Sequence, residues 1–418
     1  MDRLAIEGGA PLHGEIAVSG AKNAMLPLMI ASLLTDEPVV LHNAPPLADR
    51  RQLIQLLEQL GVRIAAEKES LELDASRLRS AHAPYELVAK MRASFWVLGP
   101  LLARLGEAHV SLPGGCAIGT RPVDFYLNGL RRMGAEIRLE DGYVQARAKS
   151  GLVGADIRLP HVSVGATHVL MMAACLARGT TRLSPAAREP EIVAVGEALN
   201  AMGARVRGLG TPTLTIEGQG RLGGTSQTII PDRIEAGAYA LAAVQGGSLV
   251  LRGVREAQLG ALAPLLTKMG ATLEDSAGGL RVRGTNSRPR ALSIATDAWP
   301  GFPTDLQAPL MAVLVLADGA SEIRETVFEN RFMHVPELMR MGAAIDLAGD
   351  TARIRGVAAL KGAPVMATDL RASMGLVLAG LRAEGRTTIH RIYHLDRGFA
   401  HLEQKLAACG ARIQRLAA

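Results

Sequence analysis

Aromatic residues are scarce in this 418-residue chain: six Phe, five Tyr and two Trp, 3% in all. Nucleic-acid surfaces combine concentrated basic patches with stacking rings. No run of like charge and no basic–aromatic interleaving occurs, so that class is disfavoured despite a net charge of +6. Lysine is scarce too, at 7 of the 46 basic residues. An arginine excess without a patch fits an anionic small ligand. Cysteine is limited to Cys116, Cys175 and Cys409, which gives no disulfide framework and points to the cytoplasm. Long apolar runs are also missing. Mean hydropathy is +0.18, yet the stretch 236–251 contains a Gly pair and falls short of the about 20 apolar residues of a spanning helix. No membrane insertion is expected. The start MDRLAIEGG has no basic segment followed by an apolar core, so no signal peptide is expected. HExxH, CxxC and the phosphate-loop pattern are absent, and no metal site is expected. GQGRLG (218–223) matches a dinucleotide fingerprint, but TSQTIIP follows it where a helix should, so the match is false.

What the chain has is repetition. A helical apolar stretch ends in Gly, then Ala or Val, then an alternating strand, at Gly61, Gly134, Gly203, Gly270, Gly342 and Gly410. The spacing stays near 70 residues, so six units account for nearly all of the length. Each glycine suits the left-handed residue that closes a helix. Upstream of each lies a second helix, starting near Ala24, Ser94, Ala166, Ala236, Leu306 and Ala372, that is apolar nearly all round. Such a helix must be buried on every side. One unit, read as strand–helix–strand–helix–strand–strand, cannot bury it; three units can cluster their apolar helices inside a shell of strands and outer helices. The expectation is an α/β chain of two three-unit domains, with the seam in 221–233.

Polar residues gather where the buried helices begin: Lys22-Asn23, Lys90 and Arg92, Ser163, Asp232-Arg233-Glu235, Thr304-Asp305, and Thr368-Asp369 with Arg371. Capping accounts for Ser163, Thr304 and Thr368. It does not account for the cations Lys22, Arg92 and Arg371, which oppose the helix dipole and call for an anion beside them. The loop LPGGCAIGTRPVD (112–124) places Cys116 among glycines, five residues before Arg121. A cysteine in a mobile, electropositive loop has reason to ionise and react. Cys175 and Cys409 read as packing, and His334 and His394 as hydrogen-bonding scaffold.

These segments together resemble the enolpyruvyl transferase family, in particular the branch that uses UDP-N-acetylglucosamine. The resemblance runs from VSGAKNA (18–24) through KMRAS (90–94), the 112–124 loop, VSVGAT (162–167), AREPEIV (187–193), PDRIEAG (231–237), FPTDLQAP (302–309), ETVFENRFMHVPEL (325–338) and MATDLRAS (366–373) to RIYHLDRG (391–398). It implies two inside-out α/β barrel domains, each of three repeats with buried helices. One domain, 22–229, would carry the Cys116 loop. The other, 1–21 plus 230–418, would carry Asp305, Arg331, Arg371 and Arg397, with the active site in the cleft between them. It implies transfer of the enolpyruvyl group of phosphoenolpyruvate to the 3′-hydroxyl of the UDP-sugar, with loss of phosphate and no metal or organic cofactor. It implies that Lys22, Asn23, Arg121, Arg331, Arg371 and Arg397 hold phosphoenolpyruvate. Cys116 would deliver the proton and be alkylated by fosfomycin; Asp305 would face the 3′-hydroxyl. Lys22 and Arg397 would complete the catalytic set. Asn23, Arg92, Arg121, Pro122, Val123, Asp124, Phe125, His161, Ser163, Val164, Gly165, Asp305 and Val327 would contact the UDP-sugar.

The chain departs from the family pattern at three places. His161 replaces a frequent Lys, Arg50-Arg51 follows Asp49 where an apolar and a small polar or acidic residue are usual, and Pro309 lies one turn into the helix after Asp305. The first two bear on contacts to the UDP-sugar, and a proline there removes a helix hydrogen bond. Three rivals remain: 5-enolpyruvylshikimate-3-phosphate synthase, against which Cys116 and TRPVD argue; a non-catalytic regulatory paralogue, against which the joint presence of Lys22, Cys116, Asp305 and Arg397 argues; and a basic nucleic-acid-binding protein, which a steep salt dependence of DNA binding would support.

Overall fold

The structure is a computed structural model, and it describes residues 2–114, 118–119, 122–285 and 287–417. The Cys116 and Arg121 expectations therefore lie outside the described residues. The six glycines read as helix terminators all have positive φ, between +92° and +108°. Each follows an amphipathic outer helix, for example Ala48–Leu60 before Gly61 and Leu262–Met269 before Gly270. The six apolar helices are present as well. They begin at Lys22, Arg92, Val164, Arg233, Thr304 and Leu370.

The described strands form six four-stranded sheets of the same order, three of them completed by a strand distant in sequence: Arg3–Glu7, His13–Ala17 and Thr225–Thr228. In the repeat after Gly61, His82–Ala83 runs parallel to Glu107–Ser111, which pairs antiparallel with Tyr143–Arg147, which pairs antiparallel with Glu136–Glu140. A parallel pair needs a crossover, and the inner helix Leu98–Leu105 with its preceding turn Arg92–Val97 supplies it. The strands alternate exposed and buried residues, as in Thr351–Arg355, because only one face covers helices.

The chain forms two compact units. The first comprises residues 1–19 and 231–418, and Ile118 and Gly119 also cluster with it. Its inner helices are Arg233–Val244, Gln307–Leu314 and Leu370–Arg382. The second comprises 20–115 and 121–230, with inner helices Lys22–Ala31, Leu98–Leu105 and Val164–Ala174. Close approach of the inner helices depends on glycine. A Cβ on Gly375 would lie 2.8 Å from the Ala308 carbonyl oxygen, and one on Gly99 would lie 2.6 Å from that of Val169. The chain ends are interlocked in the first unit: strand Arg3–Glu7 lies between Arg386–His390 and Arg412–Leu416, and His13–Ala17 runs parallel to Ser248–Arg252.

Two of the departures from the family pattern gain a physical account. Arg50 points inward, donating to the carbonyl oxygens of Ala44 at 2.5 Å and Lys68 at 3.0 Å, so it braces its own unit. Pro309 is accommodated because the first turn, Thr304–Leu306, is a separate 3₁₀ turn before Gln307–Leu314. Among the described residues no helix is long and apolar enough to cross a membrane.

Candidate active site

In the first unit a carboxylate is clamped by two guanidiniums. Asp305, in the turn that opens an inner helix, accepts from Arg331 Nη2 at 2.9 Å on Oδ1 and from Arg371 Nη2 at 2.8 Å on Oδ2. The Arg331 and Arg371 side chains are 5% exposed and that of Asp305 is 24% exposed. Buried cations of this kind must be paired. The Arg331 guanidinium lies over the Phe328 ring, 5.3 Å from its centroid, and that of Arg371 over the Phe399 ring at 6.0 Å.

A second layer fixes the clamp. Arg331 Nη1 donates to Thr304 Oγ1 at 3.1 Å, and that hydroxyl donates to Glu325 Oε2 at 2.8 Å. Buried Glu325 also accepts from Thr296 Oγ1 and from the backbone N–H groups of Val327 and Phe328. Glu325 thus holds both Thr304 and the loop that presents Val327. Its role left no sequence signal, because Thr296 and Thr304 reach it from 29 and 21 residues away. Thr304 is therefore not the cap expected of it; its hydroxyl bridges Arg331 and Glu325. Thr368 is also not the cap of its helix. Asp369 is, accepting from the N–H groups of Arg371 at 2.9 Å and Ala372 at 3.1 Å. Arg397 ends the turn Ile392–Arg397, and burial, followed by the Arg397 charge, holds the His394 pKa below its usual value.

In the second unit Lys22 is the first residue of its helix and donates from Nζ to Asp49 at 3.3 Å. The anions that the helix-start cations required are thus, for Lys22 and Arg371, carboxylates of the chain itself. Asn23 is half-buried beside Lys22, and Arg92 opens its 3₁₀ turn half-buried. Ser163 is a true cap, accepting from the Ala166 N–H at 3.3 Å, and Val164 and Gly165 form the first turn behind it. Pro122 and Asp124 are exposed, with Val123 as the cap residue of helix Asp124–Arg132. Phe125 meets the exposed His161 edge-on, with ring centroids 4.6 Å apart. A pocket of about 430 Å³ lined by Phe125, Arg131, Arg132, Arg158 and Pro160 adjoins that pair. Its arginines suit an anionic ligand. No group of three metal-ligating side chains occurs among the described residues.

The comparisons with known proteins bear on this geometry. The sequence profile of EPSP synthase (3-phosphoshikimate 1-carboxyvinyltransferase) matches residues 6–406. A protein of Chelativorans sp. (strain BNC1) named UDP-N-acetylglucosamine 1-carboxyvinyltransferase is 58% identical, with all of both chains covered. Proteins of the same name from Methylobacterium radiotolerans and Brucella ovis are 57% and 54% identical, again with full coverage of both chains. Among solved structures, the enolpyruvyl transferase NikO from Streptomyces tendae superposes with a TM-score of 0.89 at 27% identity, covering 100% of this chain and 99% of that one. An EPSP synthase from Acinetobacter baumannii gives 0.77 at 20% identity over the full length of both, a likeness of fold.

Proposed function

Since the chain belongs to the EPSP synthase family of enolpyruvyl transferases, we propose that it transfers the enolpyruvyl group of phosphoenolpyruvate to the 3′-hydroxyl of UDP-N-acetylglucosamine, releasing phosphate. This is the first committed step of peptidoglycan synthesis, and it takes place in the cytoplasm. The observation that carries the reading is full-length identity of 54–58% to proteins named for that reaction and acceptor. Among solved structures, the likeness to an EPSP synthase is one of fold, at 20% identity.

The chemistry is an addition followed by an elimination. The 3′-oxygen bonds to C2 of phosphoenolpyruvate while a proton is delivered to the C3 methylene, and a tetrahedral phosphate ketal results. The C2–O bond to phosphate then breaks, C3 loses a proton, and the vinyl ether and inorganic phosphate leave. Phosphoenolpyruvate carries two anionic groups, so several cations must converge on it. Lys22, Arg121, Arg331, Arg371 and Arg397, with Asn23, are assigned to that task. Cys116 is the proton donor to C3 and the group that fosfomycin alkylates. Asp305, gripped on both oxygens, orients the 3′-hydroxyl and receives its proton. Arg92, Pro122, Val123, Asp124, Phe125, His161, Ser163, Val164, Gly165 and Val327 bind the UDP-sugar, with the N-terminus of helix Val164–Ala174 suited to a diphosphate.

The test is phosphate release from phosphoenolpyruvate, with UDP-N-acetylglucosamine or shikimate-3-phosphate as acceptor, for the wild type and Cys116→Ala. Release with the UDP-sugar alone, reduced about 10²-fold or more in the variant, is expected. No release with either acceptor, while the UDP-sugar still binds, would leave the regulatory paralogue as the better reading.

A further inference from the structure

Behind the Asp305 clamp lies an imidazole to which neither the reaction nor the family resemblance gives a task. His334 precedes helix Val335–Arg340, three residues after Arg331, and is 1% exposed. Neither ring nitrogen meets a hydrogen-bond partner among the described residues. Two charges act on it. The Asp369 carboxylate favours the protonated ring and the Arg331 guanidinium opposes it; burial outweighs the former, and the pKa falls to about 4. At neutral pH the ring is uncharged, with one N–H donor and one bare nitrogen acceptor. Asp369 and Arg331 are the two ends of one device. Arg331 grips Oδ1 of Asp305, while Asp369 caps the helix whose Arg371 grips Oδ2. An unmet buried donor or acceptor is costly, so a residue needed only for packing would be better as an apolar ring.

We propose that His334 is a positioning residue for the enolpyruvyl transfer, its two ring nitrogens tying the Arg331 side of the clamp to the Asp369 cap through buried water. The two guanidiniums are thereby held at the spacing that Asp305 and an incoming carboxylate require. Buried water with two to four polar partners satisfies nitrogens that no side chain reaches. The N–H serves the Asp369 side as donor, and the bare nitrogen accepts from the Arg331 side. The proposal rests on the enolpyruvyl reading.

The experiment compares His334→Phe with His334→Gln, measuring kcat and KM for each substrate alongside Tm. In His334→Phe, kcat/KM for phosphoenolpyruvate should fall roughly 10–100-fold, as expected when reactive groups lose register. KM for the UDP-sugar should hold and Tm should stay level or rise. His334→Gln keeps a donor and an acceptor and should restore most of the loss. Should His334→Phe fail to fold, His334→Leu against His334→Gln makes the same comparison. Wild-type kinetics in the apolar variant, no rescue by Gln, or losses that track Tm would overturn the proposal. If the wild type itself releases no phosphate, the enolpyruvyl reading fails instead. The tie is then judged by ¹⁵N NMR of the histidine-labelled protein: a protected, hydrogen-bonded His334 N–H supports it, and a freely exchanging one overturns it.

Discussion

On the proposed reading, Asp305 competes with phosphoenolpyruvate for its two arginines. Its two oxygens occupy the guanidiniums of Arg331 and Arg371, the same groups assigned to the carboxylate and phosphate of phosphoenolpyruvate. Removing the carboxylate should therefore slow turnover sharply without weakening phosphoenolpyruvate binding. For Asp305→Ala, kcat should drop about 10²–10⁴-fold, while KM for phosphoenolpyruvate stays level or falls; steady-state kinetics with both substrates varied checks this. A raised KM with kcat intact would show that Asp305 assists binding and not chemistry. At this scale the sequence marked Lys22 and Arg371 as cations in the wrong place for a helix dipole, and both lie at helix starts beside carboxylates. It could not name the partners. Asp49 is 27 positions from Lys22, and Arg371 is 66 from Asp305, and nothing in local composition records a contact made by folding. Glu325 was illegible for the same reason, and His334, read as hydrogen-bonding scaffold, meets no direct partner at either ring nitrogen among the described residues; what each does depends on what surrounds it.

At the scale of elements the sequence was far more readable. Helix ends announce themselves by chain chemistry: a residue with φ near +100° is nearly always glycine, and all six terminators have that geometry. Helices apolar all round announce burial in the same way. What local pattern hides is how closely two helices approach. Alanine normally stabilises a helix over glycine by about 0.5–1 kcal/mol. At Gly99 and Gly375 the sign should reverse, because the new Cβ would meet a backbone oxygen at 2.6 and 2.8 Å that cannot move aside cheaply. Gly99→Ala and Gly375→Ala should each destabilise by about 1–3 kcal/mol, read as a lowered midpoint in urea. An unchanged or raised midpoint would mean that the helix pairs can slide apart at little expense. The 3₁₀ turns that open two inner helices, Arg92–Val97 and Thr304–Leu306, were also hidden, since propensity does not separate a tight first turn from an α turn.

For the molecule as a whole, buried histidines should set the response to acid. His168 and His334 are fully buried, with pKa values lowered to about 3 and about 4. Both lie below the value of about 6.5 expected in the unfolded chain. The unfolded chain therefore takes up these protons first. The stability the two residues contribute is complete above pH 6.5 and is lost as pH falls toward 4 and 3, at about 1.4 kcal/mol per unit for each ring. Glu235 opposes them: burial raises its pKa against the pull of Lys405, so its contribution fades as pH rises. Between pH 6.5 and 4.5, unfolding free energies of His168→Leu should show a slope shallower by one proton than those of the wild type. Equal slopes would mean that His168 reaches solvent. The whole-molecule plan was only partly legible. The repeat number is written in the chain, but the pairing of Arg3–Glu7 with strands nearly 400 residues away is not, because a non-local pair leaves no periodic trace.

That pairing has a consequence for the order of assembly during synthesis. Residues 20–115 and 121–230 leave the ribosome in one stretch, so the second unit holds all its strands once residue 230 has emerged. The first unit has its opening strands early and their partners late. His13–Ala17 waits for Ser248–Arg252, and Arg3–Glu7 waits for Arg386–His390 and Arg412–Leu416. At 5–20 residues per second that last delay is roughly 20–80 s. Through that interval the nascent chain trails an unmatched β-edge, of the kind that invites wrong pairing or chaperone capture, while its middle is already folded.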